Sequence, residues 1–313
     1  MSTAFIFPGQ GSQAVGMARD AYEGSPAARA IFEQADTTLG MALARLCFEG
    51  PEQELTATEN AQPALLTASV ALLAAMAEST DVAPFVAARA RFVAGHSLGE
   101  YSALVAAGAL SFTDALRIVR RRGELMAAAR EGTMAAVIGL DEERLEAACR
   151  EASQAGGLAV VANYNSPGQL VISGAAETVE RAGKLATAAG ARRVIPLRVS
   201  AAFHSPLMEP AADGLRPVLA EAALADARVP VVANVDARPL TAAEELRREL
   251  EVQVQAPVRW SAAVQRMVDE GVQTFVEVGP GTVLGGLVRR IAPQAQVVQV
   301  NDLAAALAFA GKA

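Results

Sequence analysis

Short apolar segments typical of strands alternate with helical patterns along the first part of the chain, and this alternation restricts the fold more than any other feature. Strands are predicted at residues 3–7 and 91–94, and helices at residues 26–39 and 64–77 between them. A strand followed by a helix and then by another strand is typical of a parallel sheet. We therefore predict an α/β fold.

A different order of elements follows the long helical pattern of residues 113–130. Strands and helices are predicted here in the order β-α-β-β-α-β, at residues 134–139, 141–153, 158–164, 169–173, 176–189 and 193–199. This order is the split βαβ arrangement of ferredoxin-like domains. The sequence Asn-Ser-Pro-Gly at residues 165–168 predicts the turn between the two central strands. We expect this unit to be inserted into a larger domain.

The larger domain is expected to resume after the insertion. Its strands are predicted at residues 229–235 and 274–278, its helices at 242–252 and 261–269, and a Gly-Pro-Gly turn at 279–281 leads into a last helical turn. Because no repeat or long flexible linker separates the two units, we expect them to pack closely. The predicted fold class is thus α/β, with an α/β-hydrolase-like parallel sheet core of residues 1–129 and 199–313 and an inserted ferredoxin-like (βαββαβ) subdomain of residues 130–198.

The charge of the chain and its cysteines limit the classes of partner and cofactor. Its 313 residues include 27 Lys and Arg against 34 Asp and Glu, a net charge of −7 that would repel a phosphate backbone. Cys47 and Cys149 are too few for a disulfide framework or a Cys-rich zinc site, which fits a reducing cytoplasm. We therefore expect neither a nucleic acid partner nor a bound metal.

The most membrane-like stretch, residues 60–77, carries no charged side chain. It includes Asn60, Gln62 and Pro63, so its apolar run is shorter than the ~20 residues that a membrane span needs. The amino terminus has neither the basic segment nor the long apolar segment of a secretory signal. We predict a buried helix, no membrane association and a cytoplasmic location.

The strongest local indication of chemistry is the sequence Gly-His-Ser-Leu-Gly at residues 95–99. Strand-like residues 92–94 precede it and helical residues 100–104 follow. Small residues on both sides of a serine allow the sharp turn of a nucleophile elbow, which exposes the hydroxyl at the amino end of the helix. Ser97 is therefore a candidate nucleophile. The alternative is a glycine-rich turn in which Ser97 only caps the helix.

A serine hydroxyl needs a base to remove its proton, and the chain has two histidines. His96 directly precedes Ser97, and neighbouring side chains at an elbow diverge, so we favour His204. Its place after Ser97 also agrees with the residue order of α/β-hydrolase-type sites. No Asp or Glu between the two stands out as a third member of a triad. A backbone carbonyl could orient the imidazole instead.

Two further segments could serve this chemistry. The glycines of residues 7–13, Phe-Pro-Gly-Gln-Gly-Ser-Gln, would let a backbone amide reach a bound oxyanion, although the third glycine of a dinucleotide-binding fingerprint is absent. An ordinary strand-to-helix turn is the alternative. Arg120, Arg121 and Arg122 occupy consecutive helix positions, which point about 100° apart. Such a run usually faces solvent, but one buried arginine could pair with a substrate carboxylate.

Taken together, these motifs resemble the malonyl-CoA:acyl carrier protein transacylase family, the acyltransferases of bacterial type II fatty acid synthesis. The resemblance rests on six segments that appear in the expected order, at residues 7–13, 60–65, 95–101, 122–126, 202–208 and 277–281. It extends along the whole chain, and the family's small subdomain coincides with the predicted ferredoxin-like insertion.

The resemblance implies a ping-pong transfer in fatty acid biosynthesis, without a cofactor. Ser97 would take malonyl from malonyl-CoA and release it to the phosphopantetheine thiol of holo acyl carrier protein. His204 would act as general base and then as general acid. A monomer would suffice for this reaction.

The resemblance also implies roles for the residues around Ser97. The backbone amides of Gln10 and Leu98 would form the oxyanion hole, and Arg122 would bind the free carboxylate of malonate. The backbone carbonyl of Gln253 would orient the histidine. Bulky groups beside the catalytic residues, as at Leu98, suit malonyl better than methylmalonyl. Three further residues are expected near the site, namely Gln62, Asn163 and Phe203.

Other functions would use some of the same residues. A carboxylesterase, lipase or thioesterase would also need the elbow and the histidine, but an esterase usually has a His-Gly-Gly-Gly-type oxyanion loop and does not need an interior arginine. A free-standing acyltransferase that serves a polyketide synthase would share every motif. A scaffold that only binds carrier protein would leave Ser97 unacylated.

Overall fold

The computed structural model describes residues 2–199 and 201–311. Positions 1, 200, 312 and 313, which the predicted ranges 1–129 and 199–313 include, lie outside the described residues. The strands are β1 (Thr3–Phe7), β2 (Phe92–Gly95), β3 (Thr133–Ile138), β4 (Ala159–Ser166), β5 (Gln169–Gly174), β6 (Arg193–Pro196), β7 (Val231–Val232), β8 (Pro239–Leu240), β9 (Thr274–Val278) and β10 (Gln296–Val300).

Helices connect these strands and cover the sheets. They are α1 (Arg19–Gly24), α2 (Pro26–Leu39), α3 (Leu43–Glu49), α4 (Glu52–Thr56), α5 (Thr58–Ala77), α6 (Ala83–Ala87), α7 (Gly99–Ala106), α8 (Phe112–Ala128), α9 (Glu142–Gln154), α10 (Ala176–Ala188), α11 (Glu209–Glu221), α12 (Ala243–Gln253), α13 (Trp260–Asp269), α14 (Val283–Ile291) and α15 (Leu303–Ala310). A 3₁₀ turn, Pro206–Met208, precedes α11.

A six-stranded sheet forms the centre of the larger unit, in the order β10-β9-β1-β2-β7-β8. All neighbouring strands are parallel except β8, which runs antiparallel to β7. The register of β1 and β2 pairs Phe7 with Gly95, so both strands end at the same edge. The glycine-rich segments that follow these two strands therefore lie side by side, at the carboxyl edge where α/β sheets bind ligands.

The alternating side chains of β1 are buried on both faces of this sheet. Phe5 and Phe7 join the apolar core that includes α2, α5 and α8. Ala4 and Ile6 point to the opposite face, where they pack in a second core with residues of α13 and α14. Side chains of successive strand residues point to opposite faces, so a strand covered on both faces must be apolar throughout. The α/β fold predicted from the sequence is confirmed.

The smaller sheet has four antiparallel strands in the order β4-β5-β3-β6. Along the chain its elements follow the order β3-α9-β4-β5-α10-β6, and the apolar faces of α9 and α10 share one core with the sheet. Strand β4 also reaches the larger unit, because the Tyr164 amide donates to the Val258 carbonyl at 2.9 Å and the Val258 amide donates to Ala162 at 2.8 Å. The division of the chain at residues 130 and 198 stays a prediction.

Helix α5 is the buried helix that the sequence predicts, although it begins at Thr58 rather than at residue 64. Its length and composition would suit a membrane span, yet 94% of its most apolar window is buried inside the protein. Pro63 lies within the helix and has no amide hydrogen for the Glu59 carbonyl four residues before it. Arg120 Nη1 donates to that carbonyl at 3.2 Å, which satisfies the group and lets the helix continue.

The sequence prediction differs from the structure in several parts of the larger unit, including the short helices α1, α3, α4 and α6, which the prediction does not contain. Residues 229–235 contain only the two-residue strand β7, because Ala233 turns to pair its amide with the Arg238 carbonyl at 2.9 Å. No helix was predicted for Glu209–Glu221, which carries Pro217 inside it. The turn at 279–281 leads not into a last helical turn but into α14, the edge strand β10 and α15.

Candidate active site

A sharp turn between β2 and α7 carries Ser97 at the carboxyl edge of the large sheet. The φ angle of Ser97 is +51°, in the left-handed region. A Cβ on Gly95 would lie 1.9 Å from the carbonyl carbon of Gly99, and a Cβ on Gly99 would lie 2.1 Å from the carbonyl oxygen of Phe7. Both positions therefore require glycine. The structure has the strand-turn-helix arrangement that exposes a serine hydroxyl.

The imidazole of His204 contacts the Ser97 hydroxyl. His204 Nε2 lies 2.7 Å from Ser97 Oγ, and Nδ1 lies 3.1 Å from the carbonyl oxygen of Gln253 and 3.0 Å from that of Ala256. Carbonyl oxygens only accept hydrogen bonds, so Nδ1 carries the proton and Nε2 is left to accept the proton of Ser97. The arrangement can activate the hydroxyl without a carboxylate as third member.

The surroundings keep the imidazole of His204 neutral. Burial, which has the largest effect, the positive charge of Arg122 and the neighbouring His96 together lower its pKa to about 3, while the hydrogen bonds to Ala256 and Gln253 oppose this shift. A neutral imidazole is the form that can accept a proton. His204 is therefore ready to act as a base at neutral pH.

His96 lines the same cavity as Ser97, but its side chain contacts other groups. Its Nε2 is 2.8 Å from Asn165 Oδ1, and its ring centroid is 5.8 Å from that of Trp260. Burial also lowers the pKa of His96. The structure thus separates the two histidines as the sequence argument expects: only His204 reaches Ser97.

The three consecutive arginines of α8 face different surroundings. Arg120 and Arg121 form ion pairs with Glu124 at 2.8 and 3.5 Å; Arg121 is exposed, and Arg120 also contacts α5. Arg122 points inward and is 1% exposed. The direction of Arg122 follows from the helix period, because the buried residues of α8 include Ala115, Ile118 and Val119 on the same face.

The guanidinium of Arg122 reaches the nucleophile. Its Nη1 donates to Gln62 Oε1 at 2.8 Å, and its Nη2 donates to Ser97 Oγ at 3.1 Å and to Gln253 Oε1 at 3.0 Å. These acceptors are neutral, and within the described residues no carboxylate forms an ion pair with Arg122. Burial lowers its pKa, but an arginine stays charged in proteins. The site holds a buried positive charge that an anionic group could pair with.

The backbone amides of Gln10 and Leu98 lie in the two glycine-rich segments that meet at this edge. In residues 2–199 and 201–311, neither amide donates a hydrogen bond to a protein acceptor. The side chain of Gln10 is fixed by Thr58, whose Oγ1 lies 3.2 Å from Gln10 Nε2. Two such amides beside a nucleophile are the donors that an oxyanion needs.

A cavity of about 390 Å³ opens over Ser97 and His204. Asn163 and Phe203 line it, whereas Gln62 does not and instead holds Arg122. A wider cavity of about 600 Å³ shares Gln10 and Phe203 with it and continues to the surface. Among the described residues there is no group of three His, Cys, Asp or Glu that could hold a metal ion.

A family model described as an acyl transferase domain matches residues 4–308. The chain belongs to the acyl transferase domain family. It is 49% identical over 302 residues to the malonyl CoA-acyl carrier protein transacylase of Bacillus subtilis strain 168, which covers 96% of this chain and 93% of the relative. Family membership confirms the resemblance on which the sequence prediction rests and makes the protein an acyltransferase.

Solved structures of other acyl transferase domains have the same fold. The acyl-carrier-protein-S-malonyltransferase of Bartonella henselae superimposes with a TM-score of 0.94 at 44% identity, over 99% of this chain and 100% of that one. A malonyl-transacylase in complex with its type II polyketide synthase acyl carrier protein gives a TM-score of 0.93 at 42% identity, over 100% of both chains. These superpositions confirm the predicted fold class.

Sequence reasoning missed a side chain that braces the elbow of this acyl transferase domain. Asn234 Oδ1 accepts from the amide of Ser97 at 2.7 Å, and Asn234 Nδ2 donates to the carbonyl of Gly95 at 2.7 Å. The side-chain amide of Asn234 thus connects the end of β2 to the backbone of the nucleophile. Its place just after β7, at the carboxyl edge of a parallel strand, is the signal that could have identified it.

A second missed residue of this acyl transferase domain is Glu100, which lies in α7 directly after the elbow and is 1% exposed. Burial raises its pKa and Glu249 raises it further, whereas hydrogen bonds from Gln253 and Asn234 and the charge of Arg122 lower it. The signal in the sequence is a charged residue within a helical pattern that is otherwise mostly apolar.

Proposed function

We propose that this acyltransferase transfers malonyl from malonyl-CoA to the phosphopantetheine thiol of acyl carrier protein, and so supplies fatty acid biosynthesis. The observation that carries this proposal is the buried Arg122, whose guanidinium donates to Ser97 Oγ at 3.1 Å. A hydrolase of neutral esters has no need of a buried cation at its nucleophile, whereas malonyl carries a carboxylate. The names of the relatives, malonyl transacylases, support the same substrate.

In the first half of the proposed reaction, Ser97 Oγ attacks the thioester carbonyl while its proton passes to His204 Nε2. The carbonyl π electrons move onto oxygen, where the amides of Gln10 and Leu98 stabilise the negative charge. The C–S bond then breaks as the intermediate collapses, and the proton on His204 passes to the leaving thiolate of coenzyme A. The products of this half are free coenzyme A and a malonyl ester on Ser97.

The second half runs the same steps in reverse with a new thiol. His204 Nε2 takes the proton of the phosphopantetheine thiol, its sulfur attacks the ester carbonyl, and the C–O bond to Ser97 breaks. The proton returns from His204 to Ser97 Oγ, so the enzyme ends as it began. No cofactor takes part in these steps.

Acylation of Ser97 changes the hydrogen-bond acceptor that is available to Arg122. In the free enzyme the Nη2 of Arg122 donates to the hydroxyl oxygen, which becomes an ester oxygen and a weaker acceptor once it is acylated. The carboxylate of a malonyl ester lies three bonds from that oxygen, within reach of the same guanidinium. Acetyl would leave the buried charge without an anionic partner. Phe203, beside His204 in the cavity, is proposed to favour malonyl over methylmalonyl.

Two substrates that both carry a phosphopantetheine chain must occupy the site in turn. Coenzyme A and holo acyl carrier protein both carry phosphopantetheine, and the 600 Å³ cavity that continues the site to the surface offers room for it. Arg130 and Arg198 line this wider cavity, which suits the phosphate of either arm. We propose that the protein works as a cytoplasmic monomer.

The test of the proposed function is a transfer assay with malonyl-CoA and holo acyl carrier protein. We expect malonyl to appear on the carrier thiol much faster than free malonate appears in water. Predominant hydrolysis would indicate an esterase or thioesterase instead. The similarity to a transacylase that was solved with a polyketide carrier makes a second comparison informative. A higher kcat/KM with a polyketide carrier than with the fatty acid carrier would overturn the proposed pathway.

Replacement of Arg122 by alanine is expected to affect malonyl and acetyl unequally. Loss of a buried charge pair costs about 2 to 5 kcal/mol, so kcat/KM for malonyl-CoA should fall more than tenfold while that for acetyl-CoA stays level or rises. Arg121→Ala is the matched control, because Arg121 is exposed and, in the part of the chain that the structure describes, forms an ion pair only with Glu124. An equal fall for both thioesters would show that Arg122 supports the fold or binds coenzyme A.

A further inference from the structure

Glu100 is a buried carboxyl group that the proposed reaction does not use. It lies three residues after Ser97, at the amino end of α7, and it is not among the residues that line the cavity over the nucleophile. Both of its oxygens accept hydrogen bonds. Oε1 accepts from the backbone amide of Asn234 at 3.3 Å, and Oε2 accepts from the side-chain amide of Gln253 at a short distance.

The side chain of Gln253 lies between Glu100 and Arg122. Arginine can only donate, so the Oε1 of Gln253 must face Arg122 Nη2, 3.0 Å away. The Nε2 of Gln253 then faces two acceptors, Glu100 Oε2 and the carbonyl oxygen of Ser97 at 3.0 Å. The amide has one satisfactory orientation, which Arg122, the Ser97 carbonyl and Glu100 select together, and Glu100 is the one of these three without a part in the proposed reaction.

We propose that Glu100 is a positioning residue for substrate selection, which acts through Gln253 to hold Arg122 beside Ser97. This inference rests on the proposed function, because it assigns Glu100 to the same discrimination between malonyl and acetyl. If Gln253 turned its amide around, its NH₂ group would face the guanidinium, and two donors would oppose each other in a buried site. Arg122 would then move away from the place where the malonyl carboxylate lies.

This position needs a side chain with two acceptor atoms, which the carboxyl group of Glu100 supplies. Glutamine at position 100 has nearly the same shape, but only one of its two terminal atoms can accept a hydrogen bond. Either the amide of Asn234 or the side chain of Gln253 would then face a donor. Because the amide of Asn234 belongs to the backbone, the side chain of Gln253 is the group that we expect to turn.

Glu249 provides a matched comparison. It is also a buried glutamate, 8% exposed, and it accepts from the backbone amide of Val235 at 2.9 Å. Burial raises its pKa to about 7. It makes no hydrogen bond to Gln253 or Arg122 among the described residues. Replacing it removes a buried carboxylate close to Glu100 while leaving the link from Glu100 to Arg122 in place.

The experiment measures acylation of Ser97 by malonyl-CoA and by acetyl-CoA in the wild type, Glu100→Gln and Glu249→Gln, with melting temperatures for each. We expect Glu100→Gln to lower the ratio of the malonyl rate to the acetyl rate about tenfold. Glu249→Gln should keep the ratio within about twofold of the wild type, whatever its stability. A ratio that stays unchanged in Glu100→Gln while both rates fall, or that falls equally in both variants, would overturn the inference.

A double-mutant cycle tests the route through Gln253. Gln253→Ala keeps the backbone carbonyl that holds His204 but removes the side chain between Glu100 and Arg122. Adding Glu100→Gln to Gln253→Ala should therefore lower the ratio no further; a further fall of about tenfold would contradict the route. If Glu100→Gln does not fold, Glu100→Asp, which retracts the carboxylate by one methylene, should lower the ratio in the same direction, and an unchanged ratio would overturn the inference.

The wild type separates a failure of this inference from a failure of the proposed function. A wild-type enzyme that shows no preference for malonyl over acetyl would refute the proposed function itself. A wild-type preference that Glu100→Gln retains would refute only the role of Glu100.

Discussion

Ser97→Ala is expected to abolish covalent labelling by malonyl-CoA. Incubation of the wild type with malonyl-CoA alone should add one malonyl group to the peptide that contains Ser97, because the first half of the reaction needs no acceptor. The alanine variant has no oxygen to form the ester, although the elbow glycines and the oxyanion amides stay in place. Peptide mass spectrometry after a short incubation measures the result.

Ser12→Ala is a suitable control for this labelling experiment. Ser12 lies in the glycine-rich segment after β1, close to Gly281, but among the described residues it forms no hydrogen bond with His204. The control should be labelled as fully as the wild type. Labelling that persists in Ser97→Ala would place the nucleophile elsewhere and would remove the basis for the proposed transfer.

His204→Ala should lower the rate of acylation by about 10² to 10⁴, the usual effect of losing a general base. His96→Ala should have a much smaller effect, because the His96 ring contacts Asn165 and Trp260 rather than the hydroxyl of Ser97. Rapid-quench measurements of the malonyl-enzyme provide both rates. If His96→Ala proved the more damaging variant, the assignment of the base would be wrong.

The same experiment has an expected pH dependence. The pKa of His204 is lowered to about 3, so its imidazole stays neutral, and able to accept a proton, well below pH 6. Wild-type acylation should therefore change little between about pH 8 and pH 6, where an unperturbed histidine would lose half of its basic form near pH 6.5. A fall in rate centred near pH 6.5 would show that the imidazole is solvated in the working enzyme.

The parts of the site that sequence predicts well are local. The elbow requires glycine at positions 95 and 99 because the backbone approaches itself there, and a strand before it with a helix after it can be recognised within about a dozen residues. His204 follows from elimination, since the chain has two histidines. The roles of Gln10, Leu98 and Gln253 came from family resemblance alone, and they remain proposals.

The parts that sequence reasoning missed depend on contacts between distant segments. Asn234 lies 137 residues from the Ser97 amide that it accepts from, and Glu100 lies 153 residues from Gln253. Nothing in the local pattern around either residue shows what it will meet. The early end of β7 has a similar cause, because Ala233 pairs with Arg238 there and the next residue, Asn234, contacts the distant elbow.

The backbone conformation of the two proposed catalytic residues lowers the stability of the fold at the positions that the activity requires. Ser97 and His204 have φ angles of +51° and +57°, in a region where a residue with a side chain costs roughly 1–3 kcal/mol and glycine costs much less. Glycine at either position would relieve this strain and remove the reacting group at once. Selection of variants for heat resistance alone would therefore favour losing the chemistry, and any programme of thermostabilisation has to screen for turnover in every round.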